Sequence, residues 1–199
     1  MKFQPYLTAF TLAGLLAGAA QTSHAQNLLL NGSFEDQGGS FTNWTQTLAA
    51  TGSNLSIDDG SSTLFIPQDG GYYALFAAGN GQADTIDQVV PTNPDTYYDI
   101  NFWVNAKYAG ADLVVTWDGN QLTHLDSSYN SGAANNGWVN FDFLALASSP
   151  ATDLSFASYA DTALGLDNLS VTPAPEPTTL ALAGIGALGL AALRRNRAR

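Results

Sequence analysis

The stretch TYYDINFWVN, residues 96–105, decides the fold. Tyr98, Ile100, Phe102 and Val104 fall on one side of an extended chain; Tyr97, Asp99, Asn101, Trp103 and Asn105 fall on the other. Successive side chains of a strand point to opposite faces, so a period of two over ten residues makes one apolar face and one mixed face. A second stretch, WVNFDFLALA at 138–147, repeats the arrangement. Val139, Phe141, Phe143 and Ala145 oppose Trp138, Asn140, Asp142 and Leu144.

Working outward, short apolar or alternating runs separated by Gly, Asn, Asp and Pro clusters fill residues 27–171. Further strands are expected at 28–30, 54–57, 63–66, 72–77, 84–90, 112–117, 121–125, 153–158 and 166–171. Asp118-Gly119 joins two of them as a tight hairpin, because both residues tolerate the positive φ of a primed turn. Neither helical periodicity nor an internal repeat is present in this region. The expected class is all-β, a sandwich of two antiparallel sheets.

The mixed faces combine an aromatic plane with amides and carboxylates. That composition suits a sugar, whose C–H face stacks on a ring while its hydroxyls meet polar groups. Trp103, Trp138, Asn101, Asn105, Asn140 and Asp142 are the candidate ligand-binding residues, with Tyr108 and Tyr129, in expected loops, as secondary ones. The competing reading is an ordinary sandwich in which tryptophan covers apolar surface beside solvated neighbours. The 130–137 segment, rich in Ser, Gly, Ala and Asn, is expected to be mobile or to face a ligand.

Both ends of the chain differ from this pattern. Lys2, an apolar run at 7–20 and the small residues Ser23 and Ala25 describe a signal peptide over 1–25, cleaved after Ala25. At the other end, Thr172-Pro173-Ala174-Pro175-Glu176-Pro177 is expected to be a stiff extended spacer, with the sandwich ending at 172. An uncharged run at 178–193 follows, then Arg194, Arg195, Arg197 and Arg199. Sixteen helical residues reach about 24 Å, a short membrane span with its arginines on the cytoplasmic side.

Setting these ends aside sharpens the charge. The whole chain has 6 basic and 17 acidic residues. Only Lys107 and sixteen acids fall within 26–172, a net charge of −15. Such a surface cannot neutralise phosphates, which excludes nucleic acid, and it repels anionic polymers. Cysteine is absent, so no disulfide supports the exported domain. His124 is the single histidine beyond the signal segment, which leaves no means of building a histidine metal site or a serine triad. A carboxylate-pair glycosidase is the remaining enzymatic alternative.

The tail Pro175-Glu176-Pro177, with the apolar run and the arginine cluster led by Arg194 and Arg195, resembles the PEP-CTERM sorting signal. The resemblance implies a Gram-negative, polysaccharide-producing host and processing by an exosortase. It also implies a cell-surface or matrix destination reached through an inner-membrane intermediate. Ala174 stands where that signal commonly has valine. The sandwich itself resembles the galactose-binding-like jelly rolls of carbohydrate-binding modules. The shared pieces are Asn31-Gly32-Ser33-Phe34-Glu35 with Trp44, the run at 71–75, that at 86–90, the strand at 97–104, Gly137-Trp138 and the run at 166–171. That resemblance implies a jelly-roll fold and a structural calcium held by Glu35, Asp167 and the Gly32 carbonyl. The function it implies is a non-catalytic surface or matrix protein associating with extracellular polysaccharide. The alternatives are a purely structural matrix protein without a sugar site and, less favoured, the glycosidase.

Overall fold

A computed structural model describes residues 26–49, 52–77, 81–106, 108–132, 137–159, 162–175 and residue 186. The expected signal peptide, the apolar segment at 178–193 apart from residue 186, Glu176, Pro177, Arg194 and Arg195 lie outside the described residues. Among the described residues no helix is long and apolar enough to cross a membrane.

The described residues form ten strands: β1 (Thr45–Thr47), β2 (Ser56–Asp58), β3 (Tyr73–Phe76), β4 (Asp84–Pro91), β5 (Thr96–Asn105), β6 (Ala111–Trp117), β7 (Asn120–Tyr129), β8 (Trp138–Ala147), β9 (Ala151–Ser158) and β10 (Leu164–Pro173). They make two five-stranded sheets, in the orders β1-β4-β9-β6-β7 and β2-β3-β10-β5-β8. Every pairing is antiparallel, so the class is all-β as the alternation predicts.

The core lies between the sheets and is built by the residues that the period of two assigns to it. Tyr98, Ile100, Phe102 and Val104 of β5 are buried there. Phe102 stacks on Phe141 and Phe143 of β8, with ring centroids 5.5 and 5.9 Å apart, and meets Phe156 of β9 edge-on at 5.2 Å. At one end Trp117 packs against Tyr98 and donates its indole N–H to the Leu146 carbonyl of β8, 3.0 Å away, which links the two sheets. Burying these rings supplies the main stabilisation that a chain without disulfides has.

The hairpin between β6 and β7 turns at Asp118 (φ 53°) and Gly119 (φ 73°), the positive pair that a primed turn requires. Elsewhere the expected strands need correction. Residues 28–30 do not form a strand. The Leu28 N–H donates to the Val171 carbonyl at 2.8 Å, and the Asn27 side chain adds to this, donating to the Leu169 carbonyl and accepting from the Leu29 and Val171 N–H groups. The segment then presses so close to β10 that a Cβ on Gly32 would lie 2.2 Å from the Leu169 carbonyl oxygen. Residues 63–66 are not a strand either, but part of a loop over the second sheet. The short strand β1 was not expected, since its residues Thr45, Gln46 and Thr47 are all exposed and carry no apolar signal.

β10 also runs further than the prolines suggested. Pro173 pairs with Tyr98, and the Ala174 N–H donates to the Tyr97 carbonyl at 2.9 Å. Successive N–H groups of a strand point in opposite directions, so the nitrogen of Pro173 faces away from β5. On that side β3 pairs only with Leu164, Gly165 and Leu166, and no ladder bond is lost by the missing proton. Strand pairing therefore runs through the first residues of the expected stiff spacer, Thr172 to Ala174.

Candidate functional site

The outer face of the second sheet holds the predicted ligand residues. Across β5 and β8, Asn101 stands opposite Asp142, Trp103 opposite Asn140 and Asn105 opposite Trp138. The structure thus brings six of the eight candidates onto one face, but that face has two unlike halves.

One half is covered. The loop between β2 and β3 folds over it and inserts Phe65 beside Tyr73 and Trp138, with ring centroids 5.7 and 6.2 Å away. Trp138 is 3% exposed and donates its indole N–H to the Ile66 carbonyl at 2.7 Å. Asn105 is fully buried. These two residues are therefore not open to a ligand, a correction to the sequence reading: Trp138 points outward from the sheet but lies beneath the loop, and Asn105 is buried beside Gly137. Trp103 packs against the same cluster and is half-buried. Burial also pushes the Tyr73 phenol up to about 12.

The other half is open. Asn140 and Asp142 are exposed and Asn101 is half-buried. Asn101 and Asn140 exchange amide hydrogen bonds, Nδ2 to Oδ1 in each direction, at 3.0 and 2.9 Å. Beyond them Tyr97 pairs with Leu146, and Asp99 with Leu144. Tyr97, Leu144 and Leu146 are 50%, 60% and 45% exposed, an aromatic and two aliphatic side chains bare to solvent beside carboxylates and amides. Tyr97 was not among the sequence candidates, although the alternation already put it on this face.

The two secondary candidates lie elsewhere. Tyr129 ends β7, and its ring lies 6.2 Å from that of Phe141, on the core side of β8. Burial there raises its phenol above the ordinary value. Tyr108 is exposed in the connection between β5 and β6. His124 of β7 is an exposed strand residue, 2.9 Å from Asp112 of the neighbouring β6, and both belong to the first sheet.

The residues proposed for calcium are engaged with the chain itself. Glu35 Oε1 accepts the N–H groups of Gly71 and Tyr72, both at 2.8 Å. Asp167 is fully buried; its Oδ2 accepts from the Gln68 and Asp69 N–H groups at 2.8 and 3.0 Å, and its Oδ1 from that of Asn168 at 2.7 Å. The Gly32 carbonyl accepts the Leu169 N–H at 2.9 Å. Among the described residues no three His, Cys, Asp or Glu side chains converge as a metal site. Glu35 Oε1, both Asp167 oxygens and the Gly32 carbonyl are thus each bonded to a backbone N–H. The two carboxylates clamp one strap, residues 68–72, and so hold the loop over Trp138. Desolvation dominates at Asp167 and pushes its carboxyl up to about 7, against the pull of its three N–H bonds.

At its far end the open half borders the last residues of β10, through the bond from Ala174 to Tyr97. From there on the sequence is recognisable, because residues 173–196 match the PEP-CTERM protein-sorting motif. The chain carries a PEP-CTERM sorting motif. Such a motif marks an exported protein sorted by way of the membrane in Gram-negative bacteria.

No curated protein sequence matches the chain. Among solved structures, the sandwich of this PEP-CTERM chain is similar to a family 61 carbohydrate-binding module solved with β-1,4-galactotriose (TM-score 0.56, 15% identity, covering 75% of this chain and 100% of that one). It is similar as well to the family 22 xylan-binding domain of Paenibacillus barcinonensis Xyn10C (TM-score 0.52, 18% identity, 76% and 97%). A third likeness is to the enzymatically active domain of tailspike protein 4 of bacteriophage CBA120 (TM-score 0.55, 12% identity), of which it covers only 21%. At such identities the likeness establishes the jelly-roll fold and nothing finer.

Proposed function

We propose that this chain is a non-catalytic surface or extracellular-matrix protein whose sandwich associates with extracellular polysaccharide through the open half of the second sheet. The observation that carries the reading is the exposed ring of Tyr97 on the same face as Asp99, Asn101, Asn140 and Asp142. A flat ring bordered by amides and carboxylates suits a neutral sugar chain lying across two strands. The half-buried Trp103 ends that row on the covered side. The sorting motif supports the location, and we assign its processing to an exosortase acting at an inner-membrane stage.

A glycan array probed with the purified chain tests this directly. Binding to neutral glycans that falls at least tenfold in Tyr97→Ala or Trp103→Ala is the expected result. Binding that survives both substitutions removes this face from the proposal. Incubation with a polysaccharide panel should release no sugar, and release would favour the glycosidase.

A purely structural matrix protein is the second reading, favoured by one feature. The Asn101 and Asn140 amides already satisfy each other, so part of the polar row is engaged without a ligand. An array without any bound glycan would favour that reading.

A further inference from the structure

The sorting motif and the folded domain share residues. The motif begins at Pro173, yet Pro173 pairs with Tyr98 and the Ala174 N–H is bonded to the Tyr97 carbonyl. Pro175 follows at once, and Pro175-Glu176-Pro177 is the most distinctive part of the signal. An extended chain advances about 3.5 Å per residue. Ala174, whose backbone is held in the sheet, thus comes only two residues before Glu176 in the sequence. The residues just before Pro-Glu-Pro have no slack.

A cleaving enzyme that binds its substrate as an extended strand needs the substrate's backbone N–H and C=O groups for its own cleft. Here β5 already holds them. From these facts we infer that the sandwich competes with the processing enzyme for residues 172–174. Cleavage near Pro-Glu-Pro is then limited by how readily the end of β10 leaves β5. The competition is winnable, because on the side of β10 away from β5 the pairing with β3 reaches only to Leu166 and the bonds to Asn27 and Leu28 only to Val171. The Tyr97 and Tyr98 backbone thus acts as a latch on the chain's own sorting signal. In the cleavage the scissile C–N bond breaks and the acyl carbon passes to water or an acceptor amine. The nucleophile's proton ends on the departing amine.

The inference rests on the proposed processing, and the test separates the two. The full chain is expressed in a host that carries the processing enzyme, and conversion of the longer to the shorter species is followed by pulse-chase and immunoblot. A four-residue Gly-Ser insertion between Ala174 and Pro175 supplies slack without touching the sandwich. Conversion should become roughly five- to tenfold faster, the gain expected when about one hydrogen bond and its packing no longer have to be broken. The same insertion after Gly119, in the β6–β7 turn, should leave conversion at the unmodified rate. An unchanged or slower rate with the Ala174–Pro175 insertion overturns the latch. Equal acceleration by both insertions overturns it too, since general loosening would then be the cause. If no shorter species forms from any of these chains, the processing itself is disproved and the latch with it.

Discussion

Asp167 shows how this chain uses its acids at the residue scale. With Lys107 as the sole base between residues 26 and 172, ion pairing cannot hold the loops, and backbone N–H groups take the place of cations. Glu35 and Asp167 hold the strap, and the buried Asp84 holds another loop through the Ala49 and Asn54 N–H groups at 2.9 and 3.1 Å. Asp167 has a measurable consequence. Its carboxyl sits at about 7 in the folded chain against an ordinary 3.8, so the folded state holds the proton more tightly than the unfolded state does. Stability from this group is therefore full below about pH 4 and is lost as pH rises through about 7, by roughly 4 kcal/mol at most. Thermal melts at a series of pH values should show the midpoint falling over that window, and Asp167→Asn should flatten the fall. A midpoint that rises there in both proteins would refute the assignment. Trp138 makes a second prediction at this scale. Trp138→Ala should cost about 3–5 kcal/mol in urea unfolding. Trp103→Ala, at a half-buried site, should cost clearly less, and equal costs would contradict the burial described here.

At the scale of elements, the strap is the feature that the sequence concealed. β5 and β8 were legible to their end residues because ten residues at a period of two admit one interpretation. The outward direction of Trp103 and Trp138 was legible for the same reason. Their cover was not, because it depends on contacts such as that between Gln68 and Asp167, 99 residues apart, which no local pattern encodes. The run at 63–66 was misread because a short apolar segment satisfies a strand and a loop with one anchoring ring equally well. The family resemblance offered Glu35 and Asp167 as calcium ligands; that both accept backbone N–H groups of the strap was not legible, because the partners lie far away in sequence. The strap's anchoring by those N–H groups predicts that a chelator leaves the melting temperature unchanged. A chelator-dependent drop, restored by added calcium, would show that these oxygens hold an ion after all.

At the scale of the molecule, the charge of −15 between residues 26 and 172 is the dominant fact beyond packing. Like charges crowded onto one small sandwich repel, and salt screens them over about 8–10 Å at physiological ionic strength. Raising sodium chloride from about 10 to about 150 mM should therefore raise the melting temperature. A midpoint that stayed flat or fell would mean that the acids are spaced too widely to interact.

The position of β10 has a consequence in time. Among the described residues it is the last strand in chain order, yet it lies at the centre of its sheet, between β3 and β5. A chain threaded through a membrane with its N-terminus leading delivers β2-β3 and β5-β8 as separate fragments, each with a bare edge. The two can join only when residues 164–173 emerge. Maturation is thus scheduled by geometry: the sandwich closes at the moment its sorting segment arrives at the translocation pore. Until then the half-sheets must be kept apart from their neighbours.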